Sequence, residues 1–436
     1  MDSPRLQRAR RARANKLTQP QLDLPTFRVV ATLVAALSSG VLPLFLVGAF
    51  QGRIAEDIET GFAGIGAVLA LFFITTGVCS LPAGRLVDRV GAAVALRIGM
   101  SFTMLSSVFI ALFATSLPRI GIGLILCGLG TTFIDTSGSR ALSRAVPRKQ
   151  QGLGFGAKEA SGPLAALLAG VALPILGEVF AWRSLFLFAT VFAFFTAMSV
   201  PSGLDRIRTL DPTLPYEPQS DDGPIPDELM VVEESDVAQT DGNTKKQLVM
   251  LAIASATGST VAASGASFLV PSMQQVGLTA QYAGLVLALA SLVAVMSRVG
   301  SGILVDRSDN RELQIVTVLL GSGAFAALGL TLSTNVLADS RLGITVGIIS
   351  ALVLLGGGWG WTGLLFLSGV RISPARPALS GGVVLAGLGL GGAIGPALFG
   401  YVAETFSVAA SWGGAVPMLA IAAYMTHALH QERALT

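Results

Sequence analysis

Charged side chains are scarce in this chain of 436 residues: Asp, Glu, Lys and Arg together make up 13%, where a water-soluble globular protein carries about a quarter. Cysteine and histidine occur only twice each. Cys79 and Cys127 stand alone inside apolar stretches, so neither a disulfide nor a thiolate metal site is expected. His427 and His430 fall at the end of the last apolar stretch and read as solvated, which leaves no Ser/His or Cys/His arrangement for nucleophilic chemistry. No phosphate-binding G-x-x-x-x-G-K-[ST] run is present. These absences argue against an enzyme, against an ATP-driven machine, and against any metal or other cofactor. The net charge of +3 includes no patch suited to nucleic acid.

Apolar residues are abundant, at 52%, with a mean hydropathy of +0.69. A bilayer core needs about 20 apolar residues per helix, and twelve such segments are expected. Six lie at 27–50, 61–83, 94–116, 119–143, 152–176 and 182–202, and six more at 247–272, 281–303, 313–334, 341–367, 378–402 and 410–430. Basic residues are retained on the cytoplasmic side of short loops. With the N-terminus inside, the outer loops carry only Arg53, Arg119, Arg183 and Arg341, Arg140 and Lys158 lie within segments, and 23 basic residues fall on the cytoplasmic side. The expected protein is therefore a multi-pass protein of the cell (inner) membrane with both termini cytoplasmic. Residues 1–26 form a basic cytoplasmic arm that touches anionic lipid. A transit peptide is the alternative, and the first apolar stretch is too long for a cleaved signal.

Residues 204–246 break the apolar pattern with eleven acids and several prolines, and read as a flexible acidic cytoplasmic linker. The linker separates two blocks of six segments, 27–203 and 247–430, followed by a short tail, 431–436. The blocks repeat one another. "GRLVDRVG" at 84–91 returns as "GILVDRSD" at 302–309, Gly162-Pro163 as Gly395-Pro396, and Trp182 as Trp412. Such duplication points to two pseudo-symmetric bundles with a solute site between them. Each octet is expected in a short loop. Asp88 and Asp306 there form a conformational latch between the bundles together with Arg89 and Arg307, while Gly84, Gly91 and Gly302 allow tight turns and close helix contact.

The first octet resembles the loop signature of the major facilitator superfamily, G-x-L-a-D-r-x-G-r-k, through Gly84, Leu86, Asp88, Arg89 and Gly91; "WRSLF" at 182–186 is also similar to that family's entry to its sixth helix. The resemblance covers residues 27–430. It implies an all-α polytopic membrane protein of twelve transmembrane helices in two six-helix bundles, with helices one, four, seven and ten lining the pathway. Departures exist. Ala92 and Ala93 replace the basic pair, Asp309 replaces a glycine, and Leu124 stands where proton antiporters of the family carry an arginine ahead of Gly128 and Gly130.

Ionisable groups inside a membrane are costly and are usually paired or functional. Four are expected well inside segments: Asp135, Arg140, Lys158 and Glu159. Angular spacing of about 100° per residue separates Asp135 from Arg140, so Asp135 and Lys158 are placed at the cavity, and Arg140 and Glu159 are paired at its cytoplasmic end. The stripe Gly128, Thr131, Asp135, Ser139 and the stripe Thr257, Thr260, Ser264, Ser267 are read as cavity-lining. In "GGGWGWTG", Trp359 and Thr362 share a face that stacks on solute, and Trp361 faces lipid or a neighbour. Pro43 and Pro271 are expected to break their helices. The expected function is secondary active transport of a small polar or anionic organic solute by alternating access, coupled to a proton or other ion. The alternatives are a proton-driven drug exporter and, from another class, a non-transporting solute sensor. Partners are the solute, the coupling ion and membrane lipid, and a monomer suffices.

Overall fold

The computed structural model of the chain describes residues 24–146, 151–201, 204, 242–307, 311–372 and 377–435. Twelve helices long and apolar enough to cross a membrane are found among the described residues, which makes this a multi-pass, all-α membrane protein. They are α1 (Leu24–Ala49), α2 (Phe62–Val90), α3 (Ala92–Phe113), α4 (Leu117–Ala145), α5 (Gln151–Glu159 and Ser161–Leu176) and α6 (Leu185–Ser199). The second six are α7 (Gly242–Gln275), α8 (Ala280–Asp306), α9 (Glu312–Ser333), α10 (Arg341–Val353 and Thr362–Ile372, joined by a π-helical stretch), α11 (Pro377–Thr405) and α12 (Val408–Leu435). Residues 1–23 of the expected arm, 205–241 of the expected linker and the last residue of the tail lie outside the described residues, and 24–26 are already part of α1.

Within the first six helices α4 packs on α2 and α3, and within the last six α7 packs on α11 and α9 on α12. The two sets meet along α2 with α11, α5 with α8 and α1 with α7. Small residues make these approaches possible: a side chain at Gly170 would meet the backbone of Ala288 and Gly284 at 2.7 Å, and one at Gly48 would meet Ser267 at 3.0 Å. Outward faces carry bare apolar groups such as Phe195, Phe325 and Tyr424, as lipid contact requires.

Two expectations about helix ends are corrected. The octets are not loops. "GRLVDRVG" forms the last two turns of α2, and the chain turns only at Gly91, where φ is +85°; "GILVDRSD" is helical through Asp306. A 29-residue helix spans about 43 Å, longer than the bilayer core of about 30 Å, so its charged end stays helical while standing clear of the hydrocarbon. Nor do Pro43 and Pro271 break their helices, since α1 and α7 run continuously through them. The interruptions fall in α5 and α10.

The end of the molecule where α2 and α8 finish, here called the basic end, holds a charge cluster that sequence spacing did not suggest. Glu312 at the start of α9 has a fully buried side chain, and its two oxygens accept from Arg371 of α10 at 2.7 Å and Arg433 of α12 at 2.8 Å. Removing one member of a buried ion pair leaves the others uncompensated, at a cost of about 3 kcal/mol. Glu312→Ala is therefore expected to lower the thermal midpoint of the detergent-solubilised protein by several degrees, with less loss in Glu312→Gln; an unchanged midpoint for the alanine variant would show that the cluster does not hold α9, α10 and α12 together.

Candidate functional site

Pro163 has no N–H, so the carbonyl of Glu159, four residues earlier, loses its helical partner. Helix α5 divides at this point, into Gln151–Glu159 and Ser161–Leu176. A side chain of the other half takes the orphan: Arg298 Nη1 of α8 donates to Glu159 O. The same guanidinium donates through Nε at 3.1 Å and Nη2 at 2.8 Å to Trp359 O. Its carbon lies 4.9 Å from the Trp359 ring centroid, within cation–π range. Trp359 follows the π-helical stretch Leu354–Gly358, an irregularity common at functional sites. Its glycines let α10 approach α9 closely, since a side chain at Gly323 would sit 2.6 Å from the Cα of Gly358. The Trp359 ring also meets Phe45 of α1, at 5.7 Å between centroids, so residues of α1, α5, α8 and α10 converge here.

Beside this junction stand three more charges. Lys158 Nζ is 2.6 Å from Asp135 of α4 and 3.3 Å from Glu159, and is itself only 6% exposed. Asp135 and Glu159 keep 39% and 23% of their side chains exposed, so the cluster is wet on one side. Between α7 and α10 the Trp359 ring borders a crevice too narrow for a water molecule, walled also by Val261, Gly265 and Leu354.

Several expected site residues stand elsewhere. Arg140 bonds Asp88 of α2 and not Glu159, which shares Lys158; residues 88 and 140 lie within two turns of the same end of neighbouring helices, while residue 159 lies further along α5, at its interruption. Asp88 is thus held within its own half in this structure, and does not bridge the two. Thr131 donates to Gly40 O at 3.0 Å, beside the thiol of Cys127, which makes it an α1–α4 contact. Gly128 packs on Phe72 and Thr75. Of the α4 stripe only Asp135 and Ser139 retain partial exposure. Thr260 and Ser264 bond carbonyls of their own helix and line a separate cavity of about 90 Å³ between α7, α11 and α12, where Gly391 and Gly395 bring α11 against that face. Trp361 is fully buried, with Nε1 donating to Gly358 O at 2.8 Å. Thr362, three residues beyond Trp359, is buried and its hydroxyl has no partner.

Sequence reasoning missed Arg298, which was counted among the cytoplasmic basic residues. The signal was present: it lies five residues inside the expected segment 281–303. Of the latch residues, Asp306 spans the halves, accepting from the N–H groups of Gly152 at 3.1 Å and Leu153 at 2.9 Å in the first turn of α5. Gly302 packs directly on the Gly152 carbonyl, Gly84 is buried, and Arg89 and Arg307 are exposed. At the opposite end Gln51 Nε2 donates to Ser267 O at 2.8 Å and Glu404 accepts from Ala63 N–H at 2.8 Å, closing α1 on α7 and α2 on α11.

The family profile described as the Major Facilitator Superfamily matches residues 28–376. The chain belongs to this superfamily. Among its relatives, a "Probable L-galactonate transporter" of Escherichia coli (strain K12) is 26% identical over 147 residues, 33% of this chain and 32% of the relative; the match spans about a third of that relative's length. In this superfamily member, a carboxylate of the second half serves as the N-terminal cap of a helix in the first, and such caps contribute about 1 kcal/mol. Loss of that contribution changes a conformational equilibrium about fivefold. Asp306→Ala is expected to reduce solute flux by about that factor with membrane insertion intact, and Asp306→Asn, which keeps one acceptor, by less. Equal flux in wild type and Asp306→Ala would remove the cap from any role in the working cycle.

Proposed function

We propose that the chain is a secondary active transporter that moves a small organic anion together with a proton, by alternating access of one site between its two halves. The observation that carries this reading is the charge balance of the cluster: Asp135 and Glu159 offset Lys158 and Arg298. An anion entering a neutral, largely buried cluster leaves one uncompensated negative charge, which is costly away from water. One proton restores neutrality. Glu159 is the group to take it, because its carboxylate lies 3.3 Å from Lys158 Nζ and its carbonyl holds Arg298; once protonated, it frees Lys158 for the solute. The relative named for L-galactonate supports a hydroxylated carboxylic acid as the solute class. A small polar site with Trp359 and Phe45 as its aromatic pair favours such an acid over a bulky lipophilic cation. The membrane is the cell membrane with both termini on the cytoplasmic side, by the basic bias of the loops, and the reading assigns no enzymatic step.

The test is transport in proteoliposomes with radiolabelled L-galactonate and a panel of shorter hydroxy acids, with and without a pH gradient. Acid outside is expected to drive accumulation of at least one of these acids, and collapsing the membrane potential with valinomycin and potassium is expected to change it little, as one proton per monoanion requires. Glu159→Gln imitates the protonated acid, so counterflow is expected to persist while the response to the pH gradient disappears. Lys158→Ala is expected to lower flux by at least about tenfold, the loss of one charge-assisted contact. If no acid in the panel moves, or if flux ignores the pH gradient in wild type, the reading is wrong.

A further inference from the structure

We propose that Arg298 is the residue that receives the carboxylate of the solute, with the hydroxyl of Thr362 as a second donor, so that the anion seats at the junction of α5, α8 and α10. This rests on the transport reading above and deepens it. A guanidinium has five N–H groups. Three are engaged by backbone carbonyls, two by Trp359 O and one by Glu159 O. Two N–H groups of a side chain only 4% exposed remain without an acceptor among the described residues, and a buried donor left unpaired is costly. Lys158, the other cation, is already flanked by two carboxylates, whereas Arg298 has no carboxylate within ion-pair distance among the described residues. Thr362 adds an independent observation. A helical threonine ordinarily bonds the carbonyl four residues back, here that of Gly358, which already accepts from Trp361 Nε1; Thr362 is 6% exposed, and its buried hydroxyl has no partner among the described residues. The half-exposed Asp135 and Glu159 carboxylates mark the approach.

The seat also lies on the bridge between halves, because the guanidinium holds a carbonyl of α5 in the first half and one of α10 in the second. A solute that draws on the same guanidinium acts on that bridge directly.

The competing account is that Arg298 only fills orphan carbonyls, and Pro163→Ala separates the two. It supplies the missing N–H to Glu159 O, so in that background a structural arginine is left only Trp359 O to fill and matters less to the fold. Binding of sodium L-galactonate to the purified full-length protein is followed by tryptophan fluorescence, with thermal midpoints measured in parallel. Arg298→Gln is expected to lower both midpoint and affinity, the affinity by at least about tenfold. Arg298→Gln with Pro163→Ala is expected to regain much of the midpoint and none of the affinity. Thr362→Val is expected to weaken affinity severalfold with no fall in midpoint, since the hydroxyl has no hydrogen-bond partner among the described residues. Recovery of affinity in the double variant, or unchanged affinity in Thr362→Val and Arg298→Gln while wild type binds, overturns the assignment and leaves the transport reading standing. Failure of wild type to bind L-galactonate or any acid of the panel overturns both.

Discussion

One missing N–H organises the centre of this protein. Pro163 removes the donor that Glu159 O needs, and in a membrane interior, where no bulk water can replace it, the carbonyl must find another. Arg298 of the opposite half supplies that donor and at the same time bonds the carbonyl exposed by the irregular turn of α10. Two helix interruptions in different halves are thus joined by one cation. Around this bridge lie the buried Lys158, Glu159 beside it, and Trp359, which meets the Arg298 guanidinium on its face and the tilted ring of Phe45.

Inter-half contact elsewhere uses the same two devices repeatedly. Glycines bring backbones together, and acids cap helix starts across the interface: Asp306 on α5 at the basic end, Glu404 on α2 at the other. Both acids belong to the second half and both capped helices to the first. A carboxylate at a helix N-terminus satisfies orphan donors and meets the positive end of the helix dipole, so these contacts are specific without needing a basic partner.

The twelve spans and the division into halves were legible because hydrophobic length is a strong, local signal; every expected segment corresponds to a helix, with ends displaced where charged turns continue beyond the hydrocarbon, as in α2. The site was legible only in part. Asp135, Lys158 and Glu159 could be singled out as charges within apolar runs, and their grouping follows from depth. Arg298 was misplaced because a basic residue near the inner end of a span looks the same in sequence whether it turns toward loop or core. The stripes divide for a related reason: small polar residues at helical spacing serve close packing as well as a cavity, and Thr131 is an α1–α4 contact whereas Thr260 and Ser264 line a pocket against α11 and α12. The interruption of α10 could be sensed in its glycines, but its π-helical form depends on packing against α9, which no local pattern encodes.

The seam between α5 and α8 is in backbone contact at three heights, Gly152 with Gly302, Gly156 with Arg298, and Gly170 with Gly284. The α2–α11 edge is as flush, where side chains at Gly66 and Gly400 would run into the backbones of Pro396 and Phe62. With both flanks matched backbone to backbone, any residue larger than glycine at these points acts as a wedge that pries the halves apart.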